Sequence, residues 1–462
     1  MKQYKILSAA IAMALTSGVV LAGNVADVYQ DGIDNSAIVT QTNSAEPMSA
    51  SISQVGDLNV ADVLQDNSFF ADAVVTQEGS ENTAFVTQVN ASDNSSATIE
   101  QIGGSTGNFA DIYQDTADGS DAMIVQDEAV DSQAFITQTN TSGAIGSIEQ
   151  TGVNQTASIT NDNSFLAEAY ITQQGSDNDA DITQVNFSDE SFASIEQAGA
   201  FNTATISQDG AFASTAQIFQ TGALNSADIE QVNTSTTQAY ISQLSPSIGN
   251  SASISQVDEV DSIAEITQSG RDNVASILQT TGTSNLASIT QDGDDNLAQI
   301  DQIGQSNSTA IIVQTGDDNS ATISGGLGGD TNSASINQSG TTNIADLYQV
   351  GELNIASIDQ SGDENWAAGD QQGIGNELLI DQSGDGNLGA ITQIGDDNYA
   401  EIIQSGSFNE ADIYQDGSGN WGSITQAGDN GAAFITQLGT GHMATIVQAG
   451  GTGNYADVYQ SN

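Results

Sequence analysis

The sequence predicts an all-β fold, a flat β-solenoid (flat β-helix) of about 19 rungs, where a rung is two strands and the two turns that follow them. Three observations predict it: a short repeat, a period of two within each repeat, and the exclusion of acidic residues from one face of that period. A unit this short cannot bury an apolar face alone, so its neighbours must complete it, as in solenoid proteins.

The repeat has the form Ala-x-Ile-x-Gln, usually with Asn before it and a glycine turn after it. With the glutamine as reference, 38 consecutive units run from Gln30 to Gln460. Ile, Val or Leu stands two residues earlier in 37 of them, and Ala stands four residues earlier in 34. The spacing is eleven residues in the most regular run, Asn376, Asn387, Asn398, Asn409 and Asn420 with Gln382, Gln393, Gln404, Gln415 and Gln426.

The Asn, Ala, Ile and Gln positions have the same parity, so in an extended strand they lie on one face. None of the 60 Asp and Glu residues falls on these positions. Burying a carboxylate without a partner is costly, so we expect this face to form a thin, dry interior. Stacked amides would hydrogen-bond along the axis, as in cross-β assemblies. The predicted stacking residues are those asparagines and glutamines, with Ile391, Ile402 and Ile413 as the apolar seam.

The turns follow the same logic. Glycine two residues after most glutamines supplies a positive φ where the chain reverses. The turn residue alternates between Gly and Asn in the first repeats, which indicates two unlike turns and a rung of about 23 residues. Both prolines, Pro47 and Pro246, are predicted to lie between strands, where no ladder N–H is lost.

Charge excludes several functions. The chain has 60 acidic residues against three basic ones, Lys2, Lys5 and Arg271. Contacts with nucleic acid or anionic lipid need cations, so we expect neither. We expect no cofactor, and no more than weak, non-specific Ca²⁺ binding by a solvated acidic face.

The single histidine, His442, occupies the Asn position of its unit, so we predict that the chain is not an enzyme.

Residues 1–22 have the pattern of a secretory signal peptide, which leaves residues 23–462 as the repeat domain. Lys2 and Lys5 form the charged start, residues 6–15 the apolar stretch, and residues 20–22 a cleavage site. The apolar stretch is too short for a membrane span. The chain has no cysteine, so an exported protein of this sequence depends on backbone pairing and not on disulfides.

The pattern Asn-x-Ala-x-Ile-x-Gln-x-Gly-x-x-Asn resembles the curlin repeat of bacterial curli subunits, and the resemblance extends from Asn24 to Gln460. It implies export through an outer-membrane secretion pore and polymerisation of the chain with itself into extracellular amyloid fibres of a biofilm matrix, with a nucleator subunit as a further partner. The last repeats have no basic residues, which is similar to a major fibre subunit and unlike a nucleator. The repeats begin directly at Asn24, without the spacer that the curli pore recognises.

The first and last units nearly match, and neither resembles a capping repeat. We therefore expect open strand edges at both ends, ready to template another chain. A contact between unlike ends does not close and so builds a filament. The residues predicted at these fibre-end edges are Asn24, Val28 and Gln30, and Asn454, Val458 and Gln460.

Two other functions remain open from the sequence, an ice-binding solenoid and a monomeric surface adhesin. Threonine recurs just before glutamine, as at Thr76 and Thr87, but Glu100 and Tyr113 interrupt the row that an ice-binding face needs. An adhesin would use exposed Tyr, Trp and Phe to bind sugars. The glycine-rich segment at residues 324–329 predicts a loop or a hinge.

Overall fold

The computed structural model describes residues 23–326 and 329–462. The predicted signal peptide, residues 1–22, and residues 327–328 of the glycine-rich segment lie outside the described residues. Contacts divide the chain into two units. The described residues up to Leu224, together with Gln231–Asn233, form the first; Asn225–Glu230 and Thr234–Asn462 form the second.

The odd-numbered strands belong to one sheet. They are Val25–Asp31 (β1), Ser49–Asp57 (β3), Asp72–Ser80 (β5), Ser96–Thr106 (β7), Asp121–Asp127 (β9), Ile145–Val153 (β11), Glu168–Ser176 (β13), Phe192–Ala200 (β15), Thr215–Ala223 (β17), Gln238–Ile248 (β19), Ile263–Arg271 (β21), Leu286–Asp294 (β23), Thr309–Asp317 (β25), Ser333–Thr341 (β27), Ile355–Ser361 (β29), Glu377–Ser383 (β31), Tyr399–Ser405 (β33), Trp421–Gln426 (β35) and Met443–Gln448 (β37).

The even-numbered strands belong to the other sheet. They are Ser36–Thr42 (β2), Val60–Asp66 (β4), Thr83–Val89 (β6), Phe109–Asp115 (β8), Gln133–Thr139 (β10), Thr156–Asp162 (β12), Asp179–Val185 (β14), Thr203–Asp209 (β16), Ser226–Val232 (β18), Ser251–Val257 (β20), Val274–Thr280 (β22), Leu297–Ile303 (β24), Ser320–Gly325 (β26), Ile344–Glu352 (β28), Trp366–Ile374 (β30), Leu388–Ile394 (β32), Glu410–Ser418 (β34), Ala432–Thr440 (β36) and Tyr455–Ser461 (β38).

Within each unit, the strands pair in parallel with the strand two positions along the chain, and the register places like residues beside like. In the β14–β16 pair, for example, Ala180 faces Ala204 and Ile182 faces Ile206. In this pair the register places each interior residue on its equivalent in the next rung. The predicted all-β solenoid of about 19 two-strand rungs is confirmed.

The interior lies between the two sheets and is formed by alternate residues of each strand. Burial alternates along β14 and β16, with the Ala, Ile and Gln positions buried and the residues between them partly exposed. From β3 to β37, the interior alanines and isoleucines are at most 6% exposed. Two narrow rows of Ala and Ile facing each other give a thin interior that excludes water.

The two turns of a rung differ in the first unit. Two residues, Leu58 and Asn59, join β3 to β4, whereas five residues, 67–71, join β4 to β5. Close packing of successive turns explains the glycine after the glutamine. Gly175 has a φ of +111°, and a Cβ there would overlap the carbonyl oxygen of Gly199 in the next rung.

The position predicted for Pro246 was wrong. This residue lies inside β19, where the register with β21 shifts between Leu244 and Ser247. The bulge leaves Ser245 and Pro246 out of the ladder, so proline's missing N–H breaks no inter-strand hydrogen bond. Pro47 lies between β2 and β3, as predicted.

Candidate functional site

The interior glutamines form hydrogen-bonded columns along each sheet. In the odd sheet, Gln382 Nε2 donates to Gln404 Oε1 at 2.8 Å, and Gln404 Nε2 donates to Gln426 Oε1 at 2.9 Å. In the even sheet, Gln393 donates to Gln415 at 3.0 Å in the same way. These side chains are at most 1% exposed, so the columns run through the interior.

The second amide hydrogen of these glutamines joins the two sheets. Gln382 Nε2 also donates to the carbonyl oxygen of Trp366 in β30, at 3.0 Å. Gln404 makes the equivalent bond to the carbonyl oxygen of Leu388 in β32, again at 3.0 Å. Gln382 and Gln404 therefore satisfy both amide hydrogens, one along the column and one across the interior, which removes the cost of burying them.

The asparagines form a second set of columns that donate in the opposite direction. Asn398 Nδ2 donates to Asn376 Oδ1 of the preceding rung at 3.0 Å, and Asn420 donates to Asn398 at 3.1 Å. In the other sheet, Asn409 donates to Asn387 at 3.1 Å. Asn398 Nδ2 also donates to the turn carbonyl of Gly417 at 2.9 Å, so the asparagine column holds the turns in place.

The apolar seam lies beside the amide columns. Ile391, Ile402 and Ile413 belong to three consecutive strands and are 0–1% exposed. The structure thus brings together the asparagines, glutamines and isoleucines selected from the sequence. Their part in fibre stacking stays a prediction.

Two rungs interrupt the glutamine columns. Asn161 replaces a glutamine, and its shorter side chain donates to Gln184 at 2.6 Å but leaves Oδ1 buried without a hydrogen bond. At Gly325 the side chain of Gln305 occupies the position that a Cβ on the glycine would take. The column therefore loses a hydrogen bond at Asn161. At Gly325 its space is filled by Gln305, which lies in a turn.

One rung interrupts the apolar seam. Gly369 stands where the other strands have Ile, Val or Leu. The side chains of Leu347 and Leu378 fill the space of the absent isoleucine. The interior therefore stays packed although one side chain is missing.

One buried carboxyl group was missed by the sequence analysis. Glu259 is 0% exposed, with Oε2 accepting from Ser262 Oγ at 2.6 Å and from Asn285 Nδ2 at 3.4 Å, while Oε1 has no partner. Burial raises the pKa of this carboxyl group. It lies in a turn, outside the strand positions from which acids are excluded, so the strand period contains no signal for it.

Several outward-facing aspartates lie between neighbouring side chains on the sheet surface, where Asp62 and Asp111 are half-buried and Asp228, Asp381 and Asp412 are more exposed. Burial raises the pKa of these carboxyl groups, and nearby carboxylates add to the effect at Asp228, Asp381 and Asp412. Burial also raises the pKa of Asp62 and Asp111. The outer faces therefore favour protonation of these acids.

The terminal rungs are less buried than the interior ones. Strand β1 pairs with β3 alone and β38 pairs with β36 alone among the described residues. Val28 and Gln30 are therefore only half-buried, as are Val458 and Gln460, whereas Asn24 and Asn454 are exposed. The structure places all six predicted edge residues in terminal rungs of their respective units.

His442 occupies the asparagine position of β37's rung. Its backbone N–H donates to Asn420 Oδ1 at 3.0 Å, and a ring nitrogen lies 3.0 Å from the carbonyl oxygen of Leu438.

Among residues 23–326 and 329–462, no three His, Asp or Glu side chains are grouped so that they could hold a metal ion. Nor do these residues contain a helix with the length and apolar character to cross a membrane.

Comparison with known families gives one match. A sequence model described as the curlin associated repeat matches residues 71–103, 261–293, 293–324, 329–361, 354–384, 375–406 and 408–439. The matches fall in both units of the chain. No curated protein is similar enough to the chain to count as a match.

Proposed function

Because the chain belongs to the curlin associated repeat family, we propose that it is a secreted structural protein that polymerises head to tail into extracellular, curli-like amyloid fibres for biofilm matrix, adhesion and cell aggregation. The observation that carries the proposal is the set of interior amide and isoleucine columns that reach half-buried terminal rungs. A further chain would extend every column. A nucleator subunit and an outer-membrane secretion pore are the other partners in this proposal.

The expected joint between two copies follows from the register. Strand β35 lies beside β37 with Gln426 opposite Gln448. Continuing that register, β1 of the next copy would lie on β37, with Gln30 opposite Gln448. Likewise β2 would lie on β38, with Gln41 opposite Gln460. The joint would then reproduce the contacts between interior rungs.

The direction of the glutamine columns makes the joint polar. Gln448 Nε2 donates to the carbonyl oxygen of Ala432 at 2.9 Å, and no glutamine in the described chain accepts its second hydrogen. Gln30 donates to Gln54 at 2.6 Å, which leaves its Oε1 as the acceptor at the first rung. Head-to-tail addition pairs this donor with this acceptor, whereas joining two like ends would place donor against donor or acceptor against acceptor.

The outward residues of the two terminal rungs suit the same joint. Val25 is 50% exposed and Met443 is 70% exposed, and the continued register places them side by side. Asp27 would lie beside Thr445, so this strand pair brings no two carboxylates together. Apolar contact without like-charge repulsion favours association of these edges.

The experiment uses two introduced cysteines, since the chain has none of its own. Neighbouring residues on paired strands are about 5 Å apart, which suits a disulfide. We expect Val25→Cys/Met443→Cys protein, assembled and then oxidised, to give a ladder of covalent multimers after the fibres are dissolved without reductant. The assemblies should bind thioflavin and diffract at about 4.7 Å.

The matched control moves one cysteine four residues along the strand. In Val25→Cys/Val447→Cys protein the thiols would be roughly 13 Å out of register, so we expect few multimers. Equal cross-linking of the two variants would refute the proposed joint. A mature protein that stays monomeric and soluble would refute polymerisation itself.

A further inference from the structure

A cavity of about 300 Å³ lies on the outer face of the even sheet, in the second unit. It spans β26, β28, β30 and β32, and the outward side chains that line it include Thr322, Asp346, Tyr348, Ala368 and Asp370. The amide columns described above have no part in its outward wall, so the cavity is separate from the proposed fibre joint.

Two small side chains create the cavity. Asp346, Ala368 and Ala390 occupy equivalent positions on three successive even strands, and the next residue in this column is Asp412. Between the two aspartates the column therefore has only methyl groups over about 14 Å, three strand spacings. Gly369 adds no side chain to the floor, which is completed from below by Leu347 and Ile391.

The walls of the cavity carry negative charge and an aromatic ring. Asp346 is exposed and Asp370 is half-buried. Both oxygens of Asp370 accept from Gln372 Nε2 at 3.2 Å, a contact made at the rim by an exposed side chain. Tyr348 lies opposite Asp370 and two residues after Asp346, and it is 42% exposed. None of the lining residues is basic.

We propose that this cavity binds a small aliphatic diamine. Asp346 and Asp370 are diagonal neighbours on adjacent strands, roughly 8 Å apart between Cα atoms from the strand spacing and rise. An ammonium group at each carboxylate would place the methylene chain over Ala368 and against the ring of Tyr348. Charge-assisted hydrogen bonds and cation–π contact then hold the two ends, and the alanine floor accepts the apolar middle.

Other ligands suit the cavity less well. A metal ion would need more ligands than two diagonal carboxylates, and no metal-binding group of three acids or histidines occurs in the described part of the chain. An anion would face two carboxylates without any basic side chain. A neutral sugar would use the hydroxyl groups and the tyrosine ring but would leave both charges uncompensated.

The test is calorimetric titration of putrescine into the full mature protein at about 0.15 M salt, where exposed charges more than a Debye length apart are largely screened. We expect saturable binding with one site per chain, and binding of the diol of equal length to be at least tenfold weaker. In Asp346→Asn/Asp370→Asn protein we expect putrescine affinity to fall at least tenfold. Ala368→Leu should fill the cavity and abolish binding without changing charge.

The matched control is Asp301→Asn/Asp412→Asn, which removes the same charge from equivalent columns of the same sheet but leaves the cavity lining intact. We expect its affinity for putrescine to stay within twofold of the parent protein. An equal loss of putrescine affinity in both double variants would show that putrescine adsorbs to surface charge, and would overturn the proposed site. Unsaturable binding, equal binding of the diol, or full binding by the Ala368→Leu variant would overturn it as well.

Discussion

At the scale of single residues, a buried amide is stabilising here only because its equivalents in the neighbouring rungs complete it. Gln173 accepts from Gln150 at 2.9 Å, donates to Gln197 at 2.9 Å, and donates to the carbonyl oxygen of Thr156 at 2.9 Å. A lone glutamine in such an interior would lack these partners and would cost free energy to bury. Repetition of the sequence supplies the hydrogen bonds.

We predict that Gln173→Ala lowers the free energy of unfolding by about 3–5 kcal/mol, because it leaves an unpaired donor and acceptor and a cavity. The next residue provides the control, since Gln174 is also a glutamine but is exposed. Gln174→Ala should change stability by no more than about 0.5 kcal/mol. Urea unfolding of the soluble protein measures the free energy of unfolding of both variants. Similar decreases in the two variants would contradict a stabilising contribution from the glutamine column.

At the scale of strands and turns, the sequence predicted what the repeat period determines and missed what depends on individual substitutions. The period of two and the exclusion of acids led to the two-sheet solenoid, which is confirmed. The prediction that Pro246 lies between strands was wrong because a bulge inside β19 accommodates this residue. The period of two does not indicate where a bulge occurs. The filling of the space at Gly369 by Leu378 also required coordinates, since these residues belong to different sheets.

Turn glycines allow a matched prediction at this scale. Gly175→Ala should lower the free energy of unfolding by more than about 2 kcal/mol, because the added Cβ would overlap the backbone of Gly199 and φ is unfavourable for alanine. Gly119 has a φ of +60° and open space where a Cβ would lie, so Gly119→Ala should cost only about 1 kcal/mol. Thermal or urea unfolding distinguishes the two; equal costs would rule out close approach of the turns as the reason for glycine.

At the scale of the whole molecule, a formal net charge of −57 opposes both folding and association. Desolvation of acids on the sheet faces also opposes folding of the charged chain. Burial raises the pKa of carboxyl groups such as those of Asp111 and Asp181 for this reason. Burial also raises the pKa of the Glu259 carboxyl group. Protonation of these acids therefore relieves both their desolvation cost and their mutual repulsion.

We predict that stability falls as pH rises, in contrast to ordinary acid denaturation. The folded chain holds protons on these aspartates at pH values where the unfolded chain, with an ordinary pKa of 3.8, has released them. The free energy of unfolding should thus decrease from about pH 4 until the raised pKa values are passed, and then level off. Urea midpoints across this range measure the effect.

The control for that prediction removes two half-buried acids. Asp111→Asn/Asp181→Asn should reduce the pH dependence, whereas Asp121→Asn/Asp131→Asn, which removes two exposed acids of the same unit, should reduce it less. A stability that rises from pH 4 to neutrality would contradict the prediction.

The opposed directions of the glutamine and asparagine columns have an electrical consequence. A hydrogen-bonded chain whose members all point one way accumulates a dipole that grows with its length. In the regular repeats each strand contributes one amide oriented along the axis and another oriented against it, as Gln404 and Asn398 do in β33's repeat. The two moments largely cancel, so lengthening the array does not build up a field along it.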